Sequence, residues 1–68
     1  MINLNKARVL HYKLRNTEYR VVHHDVKIKQ PDGSWELGCM YTSRLTDDDS
    51  LYTRPYSMFN ENKWEILK

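Results

Sequence analysis

Residues 18–29 read EYRVVHHDVKIK, and this stretch decides the fold. It is rich in β-branched and aromatic side chains and contains neither glycine nor proline, so it reads as one long strand. Its apolar residues change parity partway: Tyr19 and Val21 are odd, whereas Val22, Val26 and Ile28 are even. Side chains alternate faces along a strand with a period of two, so one regular strand cannot hold both sets on one face. One extra residue would restore the register. A bulge or sharp bend is therefore expected between residues 22 and 25. A long strand bent once is how a small sheet wraps around a core.

Working outward, residues 9–15 (VLHYKLR) place Leu10, Tyr12 and Leu14 on one face and His11, Lys13 and Arg15 on the other, the pattern of a half-buried strand. Asn16-Thr17 is a turn candidate. Downstream, Gln30-Pro31-Asp32-Gly33-Ser34 marks a hairpin tip, with proline presetting φ and glycine supplying positive φ. The next strand, residues 34–43, puts Trp35, Leu37, Cys39 and Tyr41 on one face, and the mid-strand Gly38 suggests a close backbone approach or a bend. A polar loop spans 44–50. Residues 51–54 form a short fourth strand that Pro55 ends, and residues 55–59 (PYSMF) read as one tight helical turn. A last strand covers 63–67 with Trp64 and Ile66 facing inward. Residues 1–8 fit a frayed start, an extra edge strand or a dimer contact. Four strands, a single 3₁₀ turn and a fifth strand are the order of a small five-stranded SH3-like barrel, all-β, over residues 1–68 as one domain; an OB-like barrel is the runner-up, although it normally needs more residues and a longer helix.

Size and composition bound the rest. A chain of 68 residues buries a smaller share of its surface than a larger one, and Cys39, its single cysteine, excludes an internal disulfide. The core falls to Trp35, Trp64, Phe59 and the five tyrosines, and a homo-oligomer would add to it. No apolar run reaches the roughly 18 residues of a membrane span, and the first residues lack the apolar stretch of a signal peptide. With the lone thiol, this points to a cytoplasmic protein that does not engage membranes. Charge is asymmetric: residues 1–30 carry seven Lys/Arg against two acids, and residues 31–68 carry four against seven. That imbalance fits an anionic partner for the first half, and equally a solvated surface of mixed charge.

Few residues suggest chemistry. His23, His24 and Asp25 are adjacent, and neighbours on a strand point to opposite faces, so they do not make a metal site by spacing; one packed and one solvated histidine is expected. Asp47, Asp48 and Asp49 lack the alternation and glycine of a calcium loop. Cys39 shares a face with Trp35 and Leu37 and reads as an inert buried thiol. No serine sits in an elbow motif and no glycine-rich phosphate loop exists, so neither an enzyme nor a cofactor is expected. The residues that stand out are Tyr52, Arg54 and Tyr56, an arginine between aromatics that can clamp an anion and stack on a flat ring, with His11 and Lys13 on the outer face of the first strand extending the same surface. Arg54 has a structural alternative, pairing with an acid or with loop carbonyls to hold the helical turn.

Several of these residues also carry a family likeness. His11-Tyr12-Lys13, then Tyr19 and Val21, then Tyr41, then Arg54-Pro55 and Met58-Phe59 resemble the HYK, YxV and RPxxMF pattern of the bacterial domain-of-unknown-function family numbered 1653, over roughly residues 10–66. Tyr52 stands at the family's aromatic position before the Arg-Pro pair, and Leu14 replaces its usual glycine. The resemblance implies a compact SH3-like β fold and a bacterial or bacteriophage accessory protein. It implies no activity. The sequence thus supports a non-enzymatic binding module for an anionic ligand, nucleic acid or nucleotide, or else a module or inhibitor that docks a partner protein.

Overall fold

The computed structural model describes residues 3–44 and 49–68. The protein is all-β: β1 (Val9–Tyr12), β2 (Thr17–Lys29), β3 (Trp35–Ser43), β4 (Tyr52–Pro55) and β5 (Trp64–Ile66) form one antiparallel sheet in the order β4-β3-β2-β1-β5. Among the described residues there are also two 3₁₀ turns, η1 (Leu4–Lys6) and η2 (Tyr56–Met58). β4 and β5 are the two edges, so the sheet is open. Among the described residues no helix is long and apolar enough to cross a membrane.

β2 bends where its parity changes. Its pairing with β3 shifts register between Val21 and His23 and again between His23 and Val26. Asp25 adopts a left-handed backbone, φ 56°, which aspartate tolerates better than most residues. The bulge differs from the expectation in size. From Val21 to Val26 β2 advances five positions while β3 advances three, from Tyr41 to Gly38. Two extra residues, an even number, leave parity unchanged. Tyr19 and Val21 therefore face the core, paired with Ser43 and Tyr41, while Val26 and Ile28 lie on the other face, opposite Gly38 and Glu36.

The core collects on one face at one end of the sheet. Leu10 (0% exposed), Cys39, Tyr41 and Ala7 form its centre, with Tyr19, Val21, Trp64, Ile66, Phe59 and Leu4 packed against it. Burying a leucine completely contributes about 1.5–3 kcal/mol. Residues 1–8 were expected as a fray, an extra edge strand or a dimer contact; within them η1 and the residue after it pack Leu4 and Ala7 against this cluster, so this part is neither frayed nor a strand. Trp35 is a second correction. It shares the face of Cys39 and Tyr41 as its parity requires, yet it is 60% exposed and Leu37 is 49% exposed. The β2–β3 arm runs past the elements that cover the core face. β1 ends its pairing at Arg20 of β2, and β4 pairs β3 only over Gly38–Tyr41. Leu14 is exposed as well, because β1 stops at Tyr12 and residues 13–16 turn, with Asn16 at φ 50°.

Gly38 is a close approach, as its sequence position suggests. A Cβ there would overlap the Arg54 carbonyl oxygen and would stand 2.7 Å from both the Arg54 carbonyl carbon and Ile28 Cδ1. Only glycine lets β4 lie this close to β3.

Candidate functional site: an aromatic groove around Arg54

Directly paired residues of antiparallel strands point to the same face. Register therefore assembles the site. Leu10 pairs with Tyr19 and Ile66, Tyr12 with Trp64, Val21 with Tyr41, Tyr41 with Tyr52, and Cys39 with Arg54. One concave face thus carries a ring cluster drawn from all five strands. Tyr12 and Trp64 lie 4.8 Å apart, Tyr19 and Tyr41 5.1 Å, and Phe59 and Trp64 4.9 Å, in tilted and edge-to-face geometries. Tyr52 stacks on Tyr41 at 5.7 Å. Each such pair contributes about 0.5–1.5 kcal/mol beyond area burial.

Arg54 rises among these rings. Its guanidinium carbon lies 5.4 Å from the Trp64 ring centroid and 5.8 Å from that of Phe59, and its Nε–H donates to Tyr41 Oη at 3.3 Å. Among the described residues no carboxylate pairs with it. The rings hold the arginine by their faces, a contact worth about 0.5–2 kcal/mol depending on desolvation. Two adjoining concavities meet here, of about 360 and about 260 Å³, sharing Tyr12, Arg54 and Trp64. The first extends to Lys63 and Asn60, the second to Arg15, Tyr19 and Tyr52. Among the described residues three cations and no carboxylate line them.

Of the residues singled out from sequence, the structure brings Tyr52 and Arg54 together in this groove. Tyr56 is elsewhere. It begins η2, and the helical turn rotates it away from the strand's alternation and toward the β2 bulge. There its hydroxyl accepts from the Asp25 backbone N–H at 2.9 Å and lies 2.9 Å from His24 Nδ1 and 3.2 Å from Asp25 Oδ1. Burial pushes its phenol up, with the Asp25 carboxylate adding to the rise and the Asp25 N–H opposing it. His24 completes the clamp: its Nε2 faces the Ala7 carbonyl at 2.6 Å, so that nitrogen donates. Both ring nitrogens are thereby engaged, while His23 is exposed. The network ties η1 and η2 to the bulge. His11 lies on the reverse face of β1, between Asn16 Oδ1 at 2.8 Å and Glu65 at 3.8 Å. Lys13 sits in the turn and donates to the Glu61 carbonyl at 3.3 Å. The groove instead recruits Tyr12, Trp64, Arg15 and Lys63. The sequence signal for Tyr12 and Trp64 was their inward parity, which was read as core alone.

Cys39 is buried beside Arg54. Burial pushes its thiol up to about 11, with the arginine's charge pulling the other way. It is a protonated packing group at neutral pH. Asp49 is exposed, while Asp47 and Asp48 lie outside the described residues. No family model, curated protein or solved structure matches the chain.

Proposed function

We propose that this chain is a non-enzymatic binding module, a small SH3-like barrel left open between its edge strands, whose groove takes an anionic ligand that carries flat rings: a nucleotide or single-stranded nucleic acid. The observation that carries this reading is the pairing of ring faces with charge. Tyr12 and Trp64 present aromatic surface at the junction of the two concavities, and Arg15, Arg54 and Lys63 surround it with no opposing carboxylate among the described residues. Stacking of a base on an aromatic ring contributes about 1–3 kcal/mol and tolerates any base, while the cations meet the phosphates. The two concavities together fall in the range of small-ligand sites, roughly 300–1,000 Å³. The strand order, the bent second strand and the 3₁₀ turn before β5 support the SH3-like assignment. The inert thiol of Cys39 supports a role without catalysis. The HYK and RPxxMF resemblance extends the reading to a short bacterial or phage accessory protein, working in the cytoplasm.

The test is a titration of Trp64 fluorescence with oligothymidylate at several salt concentrations, using a Trp35→Phe background so that one indole reports. Binding is expected to weaken steeply with salt, by about 0.7 in log–log slope per phosphate neutralised. Replacing both Arg15 and Lys63 with alanine should lower that slope by roughly 1.4 without unfolding the domain. Salt-insensitive binding, or none, would overturn the reading.

A further inference from the structure

A second surface lies outside the groove, on the β2–β3 arm. Trp35 and Leu37 continue the core face of β3 beyond its cover, and each is paired across the strands with a lysine: Lys29 opposite Trp35, Lys27 opposite Leu37. The Lys29 Nζ lies 6.0 Å from the Trp35 ring centroid. Between them is a concavity of about 410 Å³, larger than either half of the groove. Glu36 completes its lining, but Glu36 pairs with Ile28 on the opposite face, where its carboxylate accepts from Ser57 Oγ at 2.8 Å. The face therefore offers an apolar floor bordered by Lys27 and Lys29, with the carboxylate of Glu36 engaged by Ser57.

Charge and size select the occupant. Two copies meeting by this face would set Lys27 and Lys29 against their own equivalents, and like charges brought together oppose association. Two exposed apolar side chains also fall far short of the roughly 1,200–2,000 Å² that a stable protein–protein interface buries. An anionic lipid surface would meet the hairpin tip first, and the tip carries Asp32, held below the usual carboxylate range chiefly by hydrogen bonds from the Ser34 hydroxyl and backbone N–H. A tip that keeps its negative charge opposes such a surface. A concave floor suits one inserted side chain instead.

We infer that the Trp35–Leu37 face docks a short extended segment of a partner protein in which an apolar residue is flanked, two positions away on each side, by acidic residues. One leucine-sized or aromatic side chain enters the concavity, and the acids two positions away on each side meet Lys27 and Lys29. Residues two apart on an extended segment point to the same side, so such a segment presents both chemistries to this face. This surface is independent of the groove, so the protein can hold a ligand and a partner together.

The probe is a soluble synthetic peptide with a central leucine, glutamate two positions before and after it and serine between them, followed by ¹H–¹⁵N NMR of the intact chain. Shifts are expected at residues 26–29 and 35–37 and at the Trp35 indole N–H, with the groove resonances of Arg54 and Trp64 unmoved. Trp35→Ser should weaken binding about tenfold or more, as loss of a central aromatic anchor does. The double change Lys27→Glu and Lys29→Glu should abolish binding to this peptide and create binding to its lysine–leucine counterpart. Both sites are exposed, so folding is checked by the unchanged spectrum elsewhere. The inference is overturned if neither peptide shifts the arm at millimolar concentration. It is equally overturned if charge reversal leaves affinity intact, if phosphatidylserine vesicles shift the arm where the peptide does not, or if the free protein dimerises through Trp35.

Discussion

Replacing Gly38 with alanine should remove most of the stability of this domain. The added Cβ would stand 2.7 Å from the Arg54 carbonyl carbon and from Ile28 Cδ1, and would overlap the Arg54 carbonyl oxygen. Relaxed carbon contacts need about 3.5 Å, so the β4 backbone must withdraw by roughly 0.8 Å or more. A ladder bond of about 2.9 Å stretched by that amount no longer counts as a hydrogen bond. Overpacking itself costs about 1–3 kcal/mol, and two ladder bonds at about 1 kcal/mol each bring the total to about 3–5 kcal/mol. A core in a domain under 70–80 residues rarely supplies more than that. Gly33→Ala is the control: nothing lies within 4 Å of its Cβ, so only the φ of +91° opposes it, at about 1 kcal/mol. The assay is thermal and urea unfolding by circular dichroism, with the ¹H–¹⁵N spectrum of each variant. Gly38→Ala should be unfolded, or folded with β4 and Arg54 displaced, while Gly33→Ala should melt only about 4–8 °C lower. A Gly38→Ala protein with a native spectrum and a melt no lower than that of Gly33→Ala would refute the reasoning.

Three further outcomes are expected. Tyr56→Phe removes a hydroxyl that meets His24 and both polar groups of Asp25, and should lower stability by about 1–2 kcal/mol with the largest amide shifts at residues 23–26, read by urea unfolding and NMR. Arg54→Met keeps the bulk between Phe59 and Trp64 but removes the charge; it should cost about 1–2 kcal/mol of stability and lose oligonucleotide binding, so a variant that binds normally would exclude the arginine from the site. The Cys39 thiol, at about 11 in the fold against 9.0 unperturbed, leaves stability intact below pH 9, where both states keep the proton. Between pH 9 and 11 the unfolded chain alone ionises, so stability should fall by about 2 kcal/mol, and a Cys39→Ala protein should show a flatter profile across that interval.

How far the sequence reveals the fold depends on whether the deciding contact is local. The parity switch at Val21–Val22 falls where the bulge begins, although an insertion of two leaves the alternation unchanged and does not turn Val26 and Ile28 inward. The count of inserted residues depends on the route of β3, and with two inserted, Val26 and Ile28 stay on the reverse face. Alternation also assigns Trp35 to the correct face, but whether that face is covered depends on where β1, β4 and η2 end, which no property of residues 34–43 records. The site follows the same division. Tyr52 and Arg54 are two apart on one strand and share its face. Tyr56 continues that spacing only on paper, because Pro55 and the helical turn break the alternation. Tyr12 and Trp64 are more than fifty positions apart, and only the pairing of β1 with β5 makes them neighbours.

That last pairing has a kinetic consequence. The first four strands join neighbours in sequence and can zip as successive hairpins, whereas β5 must travel back across the sheet to reach β1, and the Lys68 carbonyl then receives the N–H groups of Arg8 and Val9. Contacts of such wide separation form only after the entropy of closing a long loop has been met, which places them late in folding. Trp64 arrives with that strand, so its emission times the final closing step, and a nascent or truncated chain lacking its last five residues would carry the tyrosines without the indole they enclose.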